Sequence, residues 1–287
     1  MTGANILPEE RLRRRIHIHD PTIRNALSEL FGTALLVFIG LAINMQFILS
    51  GEKLNTWIQI NLGWGLAIAF CVYSCSKTSG GHFNPAVSLA MLTLGKLSAK
   101  DCVIYCVVQT VGAFIGAMGS FGIYYDQLVN FAGDERTIEG PHATAGSFCS
   151  FPAPHLSNLT CFFDQIAGTG LLVFFVCVVI DKRNGIPNAA HPLLFGLVVM
   201  MIGTCMGMNL GYPINPARDL GPRIFTVFIY GSEVFTYHNC YFWIPIFAPV
   251  VGAVLAAWTY HLFIGAHIPD DNKVHILNDP KVPLNKI

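Results

Sequence analysis

The sequence predicts an all-α membrane protein with six transmembrane helices and two re-entrant half-helices in an inverted repeat. Three observations predict it. Six stretches carry the roughly 20 mainly apolar residues that a bilayer span needs. Two further apolar pieces are too short to span. The second half of the chain also repeats short segments of the first in the same order. Composition agrees: of 287 residues, 53% are hydrophobic and 12% charged, about half the charge of ordinary soluble domains. The net formal charge is zero, which implies neither a basic field for nucleic acid nor an acidic field for cations.

The elements follow in order. Residues 1–25 read as a cytoplasmic tail rich in arginine, with Arg11, Arg13, Arg14 and Arg15. The tail has no apolar h-region, so no cleaved signal peptide is expected, and the first span must serve for targeting. The spans are Ala26–Leu49, Trp57–Cys75, Cys102–Ile123, Cys161–Ile180, His191–Leu210 and Tyr241–Gly265. The pieces left over are His82–Gly95 and Ile214–Tyr230, each after a Gly-rich approach. Broken segments of this kind are tolerated only inside protein or beside a watery cavity. The membrane core is thus residues 26–265, with repeat one at about 26–123, repeat two at about 161–265, and an outside loop 124–160. Residues 266–287 form a second cytoplasmic tail. The Lys/Arg bias sets this orientation. Lys77, Lys96, Lys100, Lys182 and Arg183 share the side of both termini, while Asp126, Asp134, Glu135 and Glu139 oppose a lone Arg136 on the other.

Gly32-Thr33-Ala34-Leu35-Leu36-Val37-Phe38 returns as Gly168-Thr169-Gly170-Leu171-Leu172-Val173-Phe174. Asn84-Pro85-Ala86 returns 131 positions later as Asn215-Pro216-Ala217, and Gly65-Leu66 returns as Gly196-Leu197 at the same offset. Two copies of three spans insert with opposite orientation, because three is odd. A pseudo-two-fold axis in the membrane plane follows.

Asn is a strong N-cap, and Pro suits the first helical position. Each Asn-Pro-Ala therefore starts a half-helix, and the inverted repeat brings the two starts together near the midplane. Each helix N-terminus there is equivalent to roughly half a positive charge. The amides of Asn84 and Asn215 are left to donate into the space between. Such a place welcomes a neutral oxygen acceptor and repels a cation or hydronium ion.

The segments SGGHFNPAVSLA and GYPINPARDLGPR resemble the two signature boxes of the aquaporin (major intrinsic protein) superfamily, and the resemblance covers nearly all of residues 25–265. It implies the aquaporin fold, a homotetramer in the plasma membrane, and a pore through each protomer. It also implies a selectivity filter at Trp64, Gly203, Tyr212 and Arg218. Water-selective members carry His at the position of Gly203 and a small residue at that of Tyr212. Here Gly203 is expected to widen the constriction, leaving two aromatic walls opposite a guanidinium. Such a slot suits a solute with a carbon backbone and hydroxyls. Asp219 and Arg223, at i, i+4 spacing where they can pair, and Tyr124 with Pro245-Ile246, resemble the aquaglyceroporin branch. The resemblance gives Glu29 and Gln165 the task of buttressing the loops that carry the two boxes. His82 either lines the cytoplasmic half of the pore or is a satisfied structural histidine.

Pro213, Phe83 and Leu220 depart from that branch, where Ala, Leu and Phe are usual. Pro213 is expected to push Tyr212 toward an extended conformation. Gly112, Gly116 and Gly119 form a close-approach face on the third span. Asn158-Leu159-Thr160 is a glycosylation sequon on the expected outside, close to the bilayer. The pairs Cys71/Cys75 and Cys102/Cys106 read as apolar packing.

The function implied is a passive channel for water, glycerol and other small uncharged solutes, with urea as a further candidate, closed to ions and protons. No metal or cofactor is expected. The nearest alternative is a mainly water-selective pore. A secondary transporter also uses inverted repeats, but it needs membrane carboxylates, and Glu29 and Asp219 have structural explanations. No nucleophile–base pair suggests an enzyme.

Overall fold

The computed structural model describes residues 6–133 and 135–269. Most of the tail 266–287, and Asp134 of the acidic loop, lie outside the described residues. Ten helices follow in order: α1 (Pro8–Ile16), α2 (Pro21–Leu49), α3 (Trp57–Cys75), α4 (Pro85–Thr93), α5 (Ala99–Ala132), α6 (Asn158–Ile180), α7 (His191–Leu210), α8 (Pro216–Tyr230), α9 (Glu233–Cys240) and α10 (Ile244–Phe263). Six apolar stretches are long enough to cross a membrane: α2, α3, α5, α6, α7 with the turn before it, and α10 with α9. The chain is a multi-pass membrane protein.

The packing carries the two-fold relation. In the first repeat α2 packs on α5, and in the second α6 packs on α10. The middle spans α3 and α7 pack on each other. Their approach is reciprocal: a Cβ on Gly65 would lie 2.7 Å from the Gly196 carbonyl oxygen, and one on Gly196 would lie 2.3 Å from that of Gly65. No larger residue fits on either side of the axis. The short helices interlock, with α4 packed on α10 of the other repeat and α8 on α5. At nine residues, α4 is about 14 Å long, half of the roughly 30 Å hydrocarbon core.

Several spans overrun their expected limits. Helix α5 continues to Ala132 rather than stopping at Ile123, because no glycine or proline intervenes between Gly122 and Gly133, where φ turns to +58°. A hydropathy window sees only the part of a helix that sits in hydrocarbon. Within the segment before the first span, α1 begins on Pro8, with Glu9 and Glu10 in its first turn and Arg13, Arg14 and Arg15 in its last, which suits the helix dipole. Gly112 and Gly116 do meet the backbone of α2. At the sequon, the Asn158 side-chain nitrogen donates to the carbonyls of His238 (3.3 Å) and Asn239 (3.4 Å). The atom that would carry a glycan is thus engaged.

Candidate functional site: the pore midpoint and the aromatic–arginine constriction

The two half-helices start alike. Asn84 (φ −152°, ψ 117°) caps α4 and Asn215 (φ −153°, ψ 110°) caps α8, each followed by proline at N1. The Asn84 Oδ1 accepts from Ala86 N at 2.9 Å, and the Asn215 Oδ1 accepts from Ala217 N at 3.0 Å and Arg218 N at 3.2 Å. Each side-chain oxygen is therefore spent on its own helix. The nitrogens cross over. Asn84 Nδ2 donates to the Ile214 carbonyl at 2.9 Å, and Asn215 Nδ2 donates to the Phe83 carbonyl at 2.8 Å. Sequence reasoning left both amides wholly for a solute. Here one hydrogen of each braces the opposite repeat, and the second remains for the lumen.

The two carbonyls are aimed by unusual backbone. Phe83 has φ +51° and Ile214 φ +36°, a region that costs a non-glycine residue roughly 1–3 kcal/mol. Buried side chains impose it. Glu29 accepts from His82 N (2.9 Å), Phe83 N (2.7 Å) and Gln109 Nε2 (2.8 Å). Gln165 Oε1 accepts from Ile214 N at 2.9 Å. The Gln165 amide is oriented by Asp164, whose Oδ1 accepts its Nε2 at 3.0 Å while Oδ2 accepts from Asn209 at 2.8 Å. The two repeats thus reach one geometry by different means, a carboxylate with an amide donor in the first and an amide with a carboxylate acceptor in the second.

Two cavities meet at the asparagines. One, of about 200 Å³, opens on the Arg218 side, and the other, of about 130 Å³, on the His82 side. Asn84 and Asn215 border both, with Leu36, Ile68, Leu172 and Val199 as shared apolar wall. His82 lines the second cavity and also bonds through Nδ1 to Ser88 Oγ at 3.1 Å, so the two readings of this residue are compatible.

On the other side, Arg218 lies with its guanidinium carbon 5.0 Å from the centre of the Trp64 ring. Its Nη1 donates to the Phe148 carbonyl at 2.8 Å. The Trp64 Nε1 donates to Asn44 Oδ1 at 3.0 Å, which turns the apolar ring face to the lumen. Asp219 and Arg223 lie behind, fully buried and 2.8 Å apart. Asp219 Oδ2 accepts from Ser150 N at 2.8 Å, and Arg223 Nη2 donates to Ser150 O at 2.6 Å. The pair therefore clamps the loop that presents the Phe148 carbonyl to Arg218.

Two expectations about this constriction change. Gly203 was expected to leave one side open. That room is occupied: a Cβ there would lie 2.6 Å from Tyr212 Cζ and 2.4 Å from Asn61 Oδ1. The Tyr212 hydroxyl donates to Asn61 Oδ1 at 2.7 Å, and Trp57 stands edge-on to the ring at 6.1 Å. Trp64, Tyr212 and Arg218 line the cavity while Gly203 lies behind the tyrosine. Tyr212 is also not extended. Gly211 ends α7 in the left-handed region (φ +69°, ψ 25°), and Tyr212 follows at φ +43°, which folds the ring back onto the helix it has just left. Tyr124 stands away from the pore, in a lateral depression with Phe38, Ile43 and Asn55.

Sequence reasoning missed Asn61, Asn44, Trp57, Gln109 and Ser150. The signal for Asn44 and Asn61 was present, since a polar residue within a span faces protein or a cavity rather than lipid. Among the described residues no group of three or more His, Cys, Asp or Glu side chains could hold a metal ion.

Comparison with known proteins agrees with this geometry. Residues 17–260 match the family described as Major intrinsic protein. Human Aquaporin-9 is 40% identical over 264 residues, covering 91% of this chain and 90% of that protein. Human Aquaporin-10 is 38% identical over 257 residues, covering 89% and 85%. The X-ray structure of the aquaglyceroporin from Plasmodium falciparum superimposes with a TM-score of 0.78 at 30% identity, covering 86% of this chain and 98% of that one. With the paired Asn-Pro-Ala starts and the buried Asp219–Arg223 clamp, the chain belongs to the major intrinsic protein (aquaporin) family, in its aquaglyceroporin branch.

Proposed function

We propose that the chain is a passive channel for water, glycerol and other small uncharged solutes, urea among them, and that it excludes ions and protons. The observation that carries this reading is the constriction in which Trp64 and Tyr212 face the Arg218 guanidinium. Aromatic faces pack against the carbon side of a polyol, while the guanidinium donates to its hydroxyl oxygens and nearby carbonyls accept from its hydroxyls. The paired helix N-termini at Asn84 and Asn215 disfavour a cation at the midpoint. The three buried carboxylates of this region are engaged, Glu29 by three N–H donors, Asp219 by Arg223 and Ser150, and Asp164 by Gln165 and Asn209, which leaves none for ion coupling. The family is one of channels, and no catalysis is assigned.

The same reading includes a homotetramer in the plasma membrane with both termini cytoplasmic, a channel domain at residues 26–265, and a filter of Trp64, Tyr212 and Arg218 with Gly203 as the seat of Tyr212. The Tyr212 ring over Gly203 favours one second reading, a narrower pore that passes mainly water. Stopped-flow light scattering on proteoliposomes separates the two. The channel reading expects glycerol permeability well above the lipid background with no ionic current. Fast water flux with background glycerol flux would leave the water-channel reading standing.

A further inference from the structure

Outside the pore, helix α1 carries a face that the channel does not use. Its residues Glu9, Leu12, Arg13 and Ile16 recur at the spacing of one helix face, and this face lines a groove. The opposite wall is Arg24, Leu27, Ser28 and Phe31 of α2, again one face at the same spacing. Neither face is covered: Leu12 is 56% exposed, Ile16 64%, Leu27 54% and Phe31 59%. Two facing apolar surfaces stay apart, with an arginine on each wall.

The depth of the groove is fixed by α2. Its 29 residues make a helix of about 44 Å, longer than the roughly 30 Å hydrocarbon core. The first turns of α2 therefore project into the headgroup region. Arg24 sits at the outer end, and Leu27 and Phe31 lie one and two turns deeper. Only four residues, 17–20, join α1 to α2, so α1 cannot leave this level. Along the α2 wall the order from outside inward is charge at Arg24, then apolar surface at Leu27 and Phe31, which is the order of a phospholipid. Arg13 is partly engaged by Glu10 at 3.3 Å, an exposed pair of the kind worth little, and Glu9 is the one acidic group on the wall.

We infer that the groove between α1 and the start of α2 is a binding site for an anionic phospholipid, with the phosphate between Arg13 and Arg24 and an acyl chain along Leu12, Ile16, Leu27 and Phe31. This is a site for one lipid and does not depend on which solute the pore carries.

The test uses the purified full chain, delipidated in detergent, with lipid retention read by native mass spectrometry. Phosphatidylglycerol is compared with phosphatidylcholine of the same acyl chains. Two arginines near a phosphate imply a preference of roughly tenfold or more for the anionic lipid. R13Q/R24Q should lose the preference, R13K/R24K should keep most of it, and R11Q/R14Q, off the groove, should leave it intact. Soluble glycerophosphate should not compete, because it lacks the chain. Equal retention of the two lipids by the unmodified protein overturns the inference whatever the variants do. So does an R11Q/R14Q loss as large as that of R13Q/R24Q, which would mark a diffuse surface charge. Competition by glycerophosphate overturns it as well, since it would mark a free-anion site.

Discussion

Replacing Gly203 with alanine puts the aromatic side of the constriction to the test. The new methyl carbon would start 2.6 Å from Tyr212 Cζ and 2.4 Å from Asn61 Oδ1. Ordinary carbon contacts lie near 3.5–4.0 Å, so the ring must retreat by about 1 Å. Asn61, fully buried, meets the methyl still more closely and must turn aside as the ring leaves. Tyr212 borders the cavity, so it moves into the lumen and its 2.7 Å bond to Asn61 breaks. The lost bond costs about 1 kcal/mol. Because the cavity takes up the displaced ring, overpacking adds only the low end of its usual 1–3 kcal/mol range. A lumen narrowed by a ring edge should cut glycerol permeability about tenfold, an added barrier of about 1.4 kcal/mol, while water flux falls only a few-fold. Stopped-flow shrinkage assays on proteoliposomes measure both. Adding Tyr212→Ala removes the ring from the lumen and leaves its space for Asn61 to relax into, so the double variant should recover glycerol flux. If Gly203→Ala folds, reaches the vesicles and passes glycerol as before, Tyr212 does not set the aperture. If the double variant stays closed to glycerol, the methyl acts by another route.

Other outcomes follow from the same geometry. Glu29→Gln places an amide NH₂ against Phe83 N–H and Gln109 Nε2, which both need an acceptor; thermal unfolding in detergent should show a loss of about 1–3 kcal/mol, and unchanged stability would remove Glu29 from its buttressing place. Arg223→Met alone strands a buried carboxylate and should cost about 3–5 kcal/mol, while Arg223→Met with Asp219→Asn should recover much of it; additive losses in a thermal-shift series would contradict the paired clamp. At the turn after α6, Asp181 accepts two bonds from the Arg183 side chain and one from Tyr260. The Arg183 hydrogen bond, first, holds its carboxyl well below the usual range. The sign follows: a depressed folded pKa stabilises fully above the unfolded carboxylate value of about 4 and is lost as pH falls below it. Unfolding temperature should be level from neutral pH to about 5 and then drop, and Asp181→Asn should shrink that acid drop; an unaltered acid limb would show that Asp181 is not the group responsible.

The spans and the midpoint could be read from residues because their causes are local or repeated. A run such as Val173-Phe174-Phe175-Val176 demands lipid or core, and an Asn-Pro start caps a helix wherever it falls. The limits of α5 could not be read so well, since Tyr124 to Asn130 are too polar for a hydropathy window yet carry nothing that stops a helix. The constriction was legible in its members but not in their order of packing. Gly203 and Tyr212 are nine residues apart on α7 and its exit, and only the fold-back at Gly211 shows that the ring covers the glycine. Asn61 was hidden for a related reason: its bond to Tyr212 spans 151 positions. Pro213 misled about Tyr212 because a preference of the residue before proline yields to a reversal fixed by the helix end.

The crossed bonds of the asparagines bear on how the chain is made. The Asn84 amide finds its acceptor 130 residues further on, and the Asn215 amide finds its acceptor 132 residues back. A ribosome adding 5–20 residues per second needs roughly 7–26 s to produce that stretch. Through this interval α4 has neither α10 nor α8 to lie against, and the Phe83 carbonyl has no donor. A polar turn in that state is costly in lipid. The first Asn-Pro-Ala loop therefore waits near the water surface, or under a chaperone, and enters the bilayer only when its counterpart arrives. Maturation should then be timed by the second repeat, and a chain released after the third span should fail to bury its own half-helix.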